Sequence, residues 1–414
     1  MSVRAARSGR LAQWCRVRVL LLTQRLPYAP NRGDRLRAYH EIRQLQAAGW
    51  TVDVLSLVHD DEEAAHAAPM RATGLRVETA RVPHLRNKVS GLVGLAGRTP
   101  LTLTLLNSPD VDGAIARLVQ SGPPDVVLAF SSSMAAFAMR TALRDRPLVV
   151  DLVDVDSEKW RALAGSSRWP MSWIYQREHR TLQDFERLCT ARAHATTVVT
   201  DRERDALLAF APDAHVVVVP NGIDLPHFAR PAGTTVESRV VFTGVMNYEP
   251  NADAAVWLGR EIWPLVRARR PDARLDIVGA TPSPAVQALH DDGLGITVTG
   301  SVPDVRPYLW RARTAVAPLR VARGVQNKVL EAAAAGLPCV VSPSVRAGLP
   351  SELVDICPVA DTAHEFADAL VRLLDEPADP ARFVAAVARL DWSAALATLP
   401  RLLTSAAAGQ SPDV

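Results

Sequence analysis

Short runs of valine, leucine, isoleucine and alanine recur along this chain, each followed by a longer stretch of helical period. In the first half they are VRVLLLT (17–23), TVDVLSLV (51–58), DVVLAF (125–130), PLVVDLVD (147–154), TTVVTD (196–201) and HVVVVPNG (215–222). Helical patterns at 34–48, 131–143 and 157–193 lie between them. A strand without polar alternation is buried on both faces, and strands alternating with helices form a parallel sheet with helices on either side.

The rhythm pauses at LPHFARPAGTTVESR (225–239) and restarts with VVFTGV (240–245), RLDIVGA (274–280), GITVTGSV (295–302), TAVAPLR (314–320), LPCVVSP (337–343) and DICPVAD (355–361). Helical stretches at 251–270, 283–291, 304–312 and 325–335 separate these, and two more follow at 363–375 and 379–404. The pattern predicts an α/β protein of two doubly wound domains, over 1–230 and 231–385. The segment 386–414 is expected to pack a helix back toward the N-terminal domain and then fray from 405 onward. The 414 residues suffice for two such cores. Doubly wound sheets bind ligands beyond the carboxyl ends of their strands, so the strand-to-helix turns are where chemistry is expected.

Charge and cysteines narrow the function. Lys+Arg 47 against Asp+Glu 44 leaves +3, too even for a nucleic-acid partner. Cys15, Cys189, Cys339 and Cys357 form no CxxC or His-spaced pair, which predicts reduced thiols and no metal cluster. No apolar run is long enough to cross a membrane, and Val17–Thr23 reads as a first strand rather than a secretory leader. A cytoplasmic enzyme is expected. Arg4, Arg7, Arg10, Arg16 and Arg18 either help the arm touch the inner membrane peripherally or are simply the start of an arginine-biased chain.

Five turns carry polar clusters. In TQRLPYAPNRGDRLRAYHEIRQL (23–45), Gly33 lets a ligand approach, Asp34 is a candidate N-cap, and Arg35 and Arg37 are candidate anion partners. In VVDLVDVDSEKW (149–160), Asp151, Asp154, Asp156 and Glu158 must meet water, a cation or a polar ligand. Hydroxyl recognition, or capping by Asp156 or Ser157, is preferred there to a D-x-D metal site. VPNGID (219–224) reads as an Asn-Gly turn. FTGVMNYEPNADAAVW (242–257) places Gly244 at a strand end, followed by Asn247, Tyr248, Glu249 and Asn251. In APLRVARGVQNKVLEAAAAGLPCVVS (317–342), Arg320 ends a strand, Gly324 lies in the loop, and Gln326, Asn327, Lys328 and Glu331 open a helix. Asn327, Lys328 and Glu331 share one helical side, offering a cation and a helix N terminus to a diphosphate and a carboxylate to ribose hydroxyls. Lys328 is one of three lysines in the chain, with Lys88 and Lys159.

KVLEAAAAGLPCVVS resembles the K-x-x-E-A-x-A-x-G-x-P-V-V segment of retaining, GT-B-fold glycosyltransferases of family 4, and VVPNGID and DWSAALATLPRLL (391–403) match the same family. The turns quoted above, with VTGSVPDVRPYL (298–309), are similar to the sugar transferases of PEP-CTERM/exosortase-associated exopolysaccharide clusters. The resemblance spans residues 18–403 and implies a GT-B fold, two Rossmann-like domains facing across a cleft. It implies a metal-independent transferase with a nucleotide-sugar donor on the C-terminal domain and no other cofactor. A saccharide or lipid-linked saccharide acceptor belongs on the N-terminal one.

It further implies that Glu331 contacts donor ribose, that Lys328, Gly324, Gln326 and Asn327 lie by the diphosphate or sugar, and that Gly33 borders the donor phosphates. Gly244, Asn247 and Arg320 complete the donor candidates, with Lys328, Glu331 and Arg323 as the catalytic set. Asp34, Arg37 and Asp154 are acceptor-side candidates. Arg323 stands where the family's E-x7-E pattern has its first glutamate, and Val153-Asp154 where many relatives have His-Asp. The expected function is glycosyl transfer with retention in exopolysaccharide or cell-surface glycan synthesis; a sugar-nucleotide epimerase or a non-catalytic sugar-nucleotide-binding module are the alternatives.

Overall fold

The six apolar runs of the first half all become strands in the computed structural model, which describes residues 17–28, 33–322 and 324–410. They are β1 (Arg18–Thr23), β2 (Thr51–Val58), β4 (Val126–Phe130), β5 (Leu148–Val153), β6 (Ala195–Val198) and β7 (Val216–Val218). A further strand, β3 (Arg76–Arg81), escaped the pattern. RVETAR is an edge strand with only Val77 and Ala80 buried, so it lacks the run of β-branched residues that marks its neighbours. The order is β3-β2-β1-β4-β5-β6-β7, every pairing parallel. Both faces of β1 are packed: Leu20 and Leu22 point into one cluster, Val19 and Leu21 into another.

The second half forms β8 (Arg239–Thr243), β9 (Arg274–Val278), β10 (Ile296–Val298), β11 (Thr314–Ala317) and β12 (Cys339–Val341), ordered β10-β9-β8-β11-β12 and all parallel. DICPVAD does not become a strand. It contributes one bridge, Val341 to Val359, because Pro358 lacks the N–H that a continued ladder requires.

The chain divides into two units, one comprising Met1–Val219 with Leu396–Val414, the other Pro220–Ala395. The first break thus falls after Val219 rather than after 230, and the second after Ala395 rather than after 385. The helix Leu399–Ala407 belongs to the first unit, and its Leu399, Leu402, Leu403 and Ala406 join the Val19/Leu21 cluster. That i, i+3, i+4, i+7 stripe is the apolar face of a helix seated on a sheet. Each buried leucine contributes about 2 kcal/mol. The segment expected to fray is helical through Ala407; residues 411–414 lie outside the described ones.

Two long helical patterns are broken. Residues 157–193 form Asp156–Ser166 and Met171–Arg192, separated at SRWP, where Pro170 precedes the second helix. The stretch 379–404 divides into Pro380–Val387, short turns at Ala388–Leu390 and Trp392–Ala395, and Leu399–Ala407. Asn-Gly at 221–222 is no left-handed turn either. A Cβ on Gly222 would fall 2.6 Å from the Trp392 backbone, and Ile223 N–H donates to Leu390 O at 2.7 Å. Glycine is there for close packing.

Candidate functional site

In the second unit the strand order turns at β8, which connects onward to β9 on one side and lies beside β11 on the other. This is the topological switch point, where a doubly wound sheet opens a crevice beyond its strand ends. Two turns meet there. After β8 comes Gly244 and then the helix Glu249–Trp257; after β11 comes a loop and then the helix Asn327–Ala334.

Lys328 joins them. Its Nζ donates to Asn251 Oδ1 at 2.6 Å and lies 4.6 Å from the centre of the Phe242 ring. Asn251 is buried, and its Nδ2 donates to Val245 O at 3.0 Å, which fixes the amide with its oxygen toward the lysine. Gly244 leaves room for the pair: a Cβ there would fall 2.8 Å from Asn251 Nδ2 and 3.1 Å from Lys328 Nζ. Gly279, at φ +153, is needed in turn because its Cβ would lie 1.6 Å from Gly244 O.

The helix opening with Asn327 supplies unsatisfied backbone N–H groups beside this cation. Gln326 precedes it without a side-chain capping bond, so the N terminus is left for something else to satisfy. Gly324 takes φ +60 in the loop before it. Asn327 Oδ1 is shielded from solvent and has no hydrogen-bond partner. Burial pushes the Lys328 ammonium down to about 8 and Glu331 up to about 7, each partly restored by the other. A lysine and a carboxylate both shifted toward neutrality by burial, at the strand ends of a topological switch point, mark a candidate ligand site.

Not all donor-side candidates gather here. Asn247 is exposed. Arg320 is turned onto the helix after β8, its guanidinium 4.5 Å from the Trp257 ring centre and 3.5 Å from Asp253 Oδ1. Arg323 lies outside the described residues. Asn251 and Phe242, which hold Lys328, were absent from the sequence-based set; the turn containing them was singled out, but nothing in it marks which asparagine faces inward.

In the first unit the switch point lies between β1 and β4. Gln24, just after β1, donates to Ser131 Oγ at 2.6 Å and Ser133 Oγ at 2.5 Å, just after β4. Ser131 holds φ +82 and Ser132 Oγ is buried without a hydrogen-bond partner. Sequence reasoning passed over this group, although a serine triplet following a strand was its signal.

Gly33 begins the helix Gly33–Ala47, and Asp34 lies inside its first turn rather than before it; the Asp34 side chain lies outside the described residues. Arg35 pairs with Glu63 at 3.2 Å. Arg37 is a core residue, 1 % exposed, donating to Asp151 Oδ2 at 2.6 Å and Val219 O at 2.9 Å. Burial opposes its charge, and Asp151, with a smaller share from Glu41, more than restores it. Glu41 Oε1 is 3.2 Å away, yet burial and then Asp151 push that carboxyl well above the usual range, so Asp151 is the counter-ion. Arg37 therefore ties the helix to the sheet and has no face for an acceptor.

Asp154 differs. It follows Val153, a β-branched residue at φ +66 beside an irregularity in the β5–β6 register. Such a conformation costs about 1–3 kcal/mol and recurs at functional positions. Burial, then Glu203 and Asp156, raise the Asp154 carboxyl to about 7, and its Oδ1 has no hydrogen-bond partner. The neighbouring acids serve a helix N terminus. Glu203 accepts from Val155 N–H at 2.7 Å and Glu186 from Ser157 N–H at 3.2 Å, so the helix is capped from outside rather than by Asp156 or Ser157. Among the described residues no cluster of His, Cys, Asp or Glu is arranged to hold a metal.

Two family models match the chain: "Glycosyl transferase 4-like domain" over 32–222 and "Glycosyl transferases group 1" over 237–376. No curated protein matches it. Among solved structures it is similar to sucrose-phosphate synthase from Thermosynechococcus elongatus, at 18% identity and TM-score 0.71 over 95% of this chain and 100% of that one. It is also similar to Anabaena HepE in complex with UDP and glucose, at 15% identity and TM-score 0.64 over 94% and 100%. A TarM variant from S. aureus, in complex with fondaparinux, α-GlcNAc-glycerol and UDP, matches at 9% identity and TM-score 0.66 over 94% and 100%. With both halves matched by transferase models and each folded as a parallel-sheet α/β unit, the chain belongs to the group 1 glycosyltransferases of GT-B fold.

Proposed function

We propose that the protein moves a sugar from a nucleotide-sugar donor to a saccharide or lipid-linked saccharide acceptor, in exopolysaccharide or other cell-surface glycan synthesis. The observation that carries this reading is Lys328, held by Asn251 above Phe242 at the mouth of the β8/β11 crevice, beside a free helix N terminus. Cation and helix end together suit a diphosphate, and UDP is present in the HepE and TarM structures. Glu331, one turn further on, is assigned to the donor ribose. The PEP-CTERM association rests on the likeness of the quoted turns.

Retention follows if the acceptor hydroxyl attacks the anomeric carbon on the face from which the diphosphate leaves. The C–O bond to the acceptor forms as that to the diphosphate breaks, and a departing diphosphate oxygen takes the hydroxyl proton. Positioning and charge stabilisation supply the rate, with no metal ion. Asp154 is assigned to the acceptor side, and the protein is assigned to the cytoplasm, with peripheral contact at the inner membrane where the acceptor is lipid-linked.

Incubation with labelled nucleotide sugars in EDTA tests the reading. Transfer or slow donor hydrolysis is expected to persist; epimer formation, binding without turnover, or activity restored only by Mn²⁺ or Mg²⁺ would overturn it. Glu331→Gln is expected to lower kcat/KM at least tenfold, the worth of one hydrogen bond to a charged group, with little change in Tm. Unchanged kinetics would return Glu331 to a structural role.

Affinity for a nucleoside diphosphate also depends on pH through Lys328. The free ammonium titrates near 8, and a bound diphosphate holds it protonated to higher pH. Affinity is therefore full below that value and falls up to tenfold per pH unit above it. Calorimetry between pH 7 and 9 checks this, and the decline should vanish in Lys328→Arg.

A further inference from the structure

The helix His84–Gly94 is amphipathic in the wrong sense for a helix that belongs only to a core. Leu85, Val89, Leu92 and Val93, spaced i, i+4, i+7 and i+8, are 83, 64, 71 and 78% exposed. The opposite face is turned inward. Asn87 Nδ2 donates to the carbonyls of Leu105 and Asn107 at 2.9 and 2.7 Å, and a Cβ on Gly91 would lie 3.6 Å from Leu105. The orientation is thus fixed by polar and small residues while the leucines face solvent.

The stripe does not stand alone. Arg177, on the helix Met171–Arg192, donates to the carbonyls of Gly94, Leu95, Gly97 and Thr99, clasping the loop where the exposed helix ends. One turn earlier on the same helix side is Trp173, 53% exposed, and just before the helix is Trp169, 82% exposed. Arg177 thus ties the end of the exposed helix to the segment that carries the two exposed tryptophans.

The segments that form this patch expose charge of one sign; the acids at their edges, Glu158 and Glu178, are buried, against Arg161 and against the N–H groups of Leu101 and Thr102. From 79 to 109 there is no Asp or Glu, and none from 159 to 177. Arg86, Lys88, Arg98 and Arg168 are exposed there, as is Lys159. Arg86, Lys88 and Arg98 make no ion pair among the described residues. Leucines and valines on a solvent-facing helix, exposed tryptophans on the segment tied to its end, and the exposed, unpaired Arg86, Lys88 and Arg98 match an anionic lipid surface: apolar groups enter below the headgroups, indoles sit at their level and cations remain outside. A second copy of this chain would meet the same positive charge.

We infer that the surface formed by His84–Gly94 and the Trp169–Trp173 segment docks the first unit on an anionic bilayer. This surface is distinct from the arginines of the chain start. Arg18 is already engaged with Asp53 at 2.7 Å, and Arg4, Arg7, Arg10 and Arg16 lie outside the described residues. The inference stands apart from the transferase reading, since vesicle binding is measured without turnover.

The test is co-sedimentation of the full chain with phosphatidylcholine vesicles, with and without one quarter phosphatidylglycerol. Wild type is expected to bind the anionic vesicles at least tenfold more tightly, less so at high salt. Leu92→Ser with Trp173→Ala should lose at least tenfold of that binding with unchanged Tm, and Arg86→Glu with Lys88→Glu should do the same. Equal binding to both vesicle types would overturn the proposal. So would wild-type binding by the patch variants, which still carry the N-terminal arginines, or loss of a dimer rather than of vesicle binding.

Discussion

Lys328→Ala is expected to weaken nucleoside-diphosphate binding about a hundredfold and to lower kcat/KM by 10² to 10³, the usual cost of removing a preorganised charge from a phosphate or oxyanion site. The variant should fold. Removing the ammonium relieves a charge that burial disfavours, and Asn251 remains held by Val245 O. A thermal shift within about 2 °C of wild type, together with lost affinity, identifies the residue as part of the ligand site. A large drop in Tm with affinity retained would make it a structural cation between the two turns.

Arg37→Ala is expected to have the opposite profile. Its guanidinium is enclosed with Asp151, which also accepts from Thr197 Oγ1 at 2.7 Å. Truncation leaves a carboxylate buried in the sheet and a carbonyl at Val219 unmet. Breaking a buried pair from one side costs about 3–5 kcal/mol, which lowers Tm by roughly 10 °C in a unit of this size. Adding Asp151→Ala should recover part of the loss, since the second change removes the stranded charge. An acceptor-binding role predicts instead an intact Tm and a raised acceptor KM.

These two residues show how far sequence reasoning reaches. Both are basic, both open a helix after a strand, and sequence alone places both beside an anion. The difference lies in what stands opposite: Lys328 faces an asparagine amide and an aromatic ring, whereas Arg37 faces a carboxylate that pattern reading had grouped with a turn. Asp151 was counted among four acids at a strand end, but it is inside β5 and completely enclosed. A one-dimensional count of carboxylates carries no sign of which side of a strand each occupies.

The apolar strands were legible because burial on both faces leaves no choice of residue. β3 was not, since an edge strand with one wet face reads like a loop. Asn251, Gln24, Ser131 and Ser133 act through contacts between turns far apart in sequence, set by the strand order. The positive φ of Val153 is likewise invisible in a residue type that ordinarily favours extended backbone.

The claim that the β8/β11 crevice is the donor site is tested most directly by a crystal structure with a nucleoside diphosphate bound. The account predicts diphosphate oxygens about 3 Å from Lys328 Nζ and from backbone N–H groups at the start of the Asn327–Ala334 helix, with ribose hydroxyls on Glu331. Diphosphate density at any other place, with Lys328 still bonded only to Asn251, would contradict it.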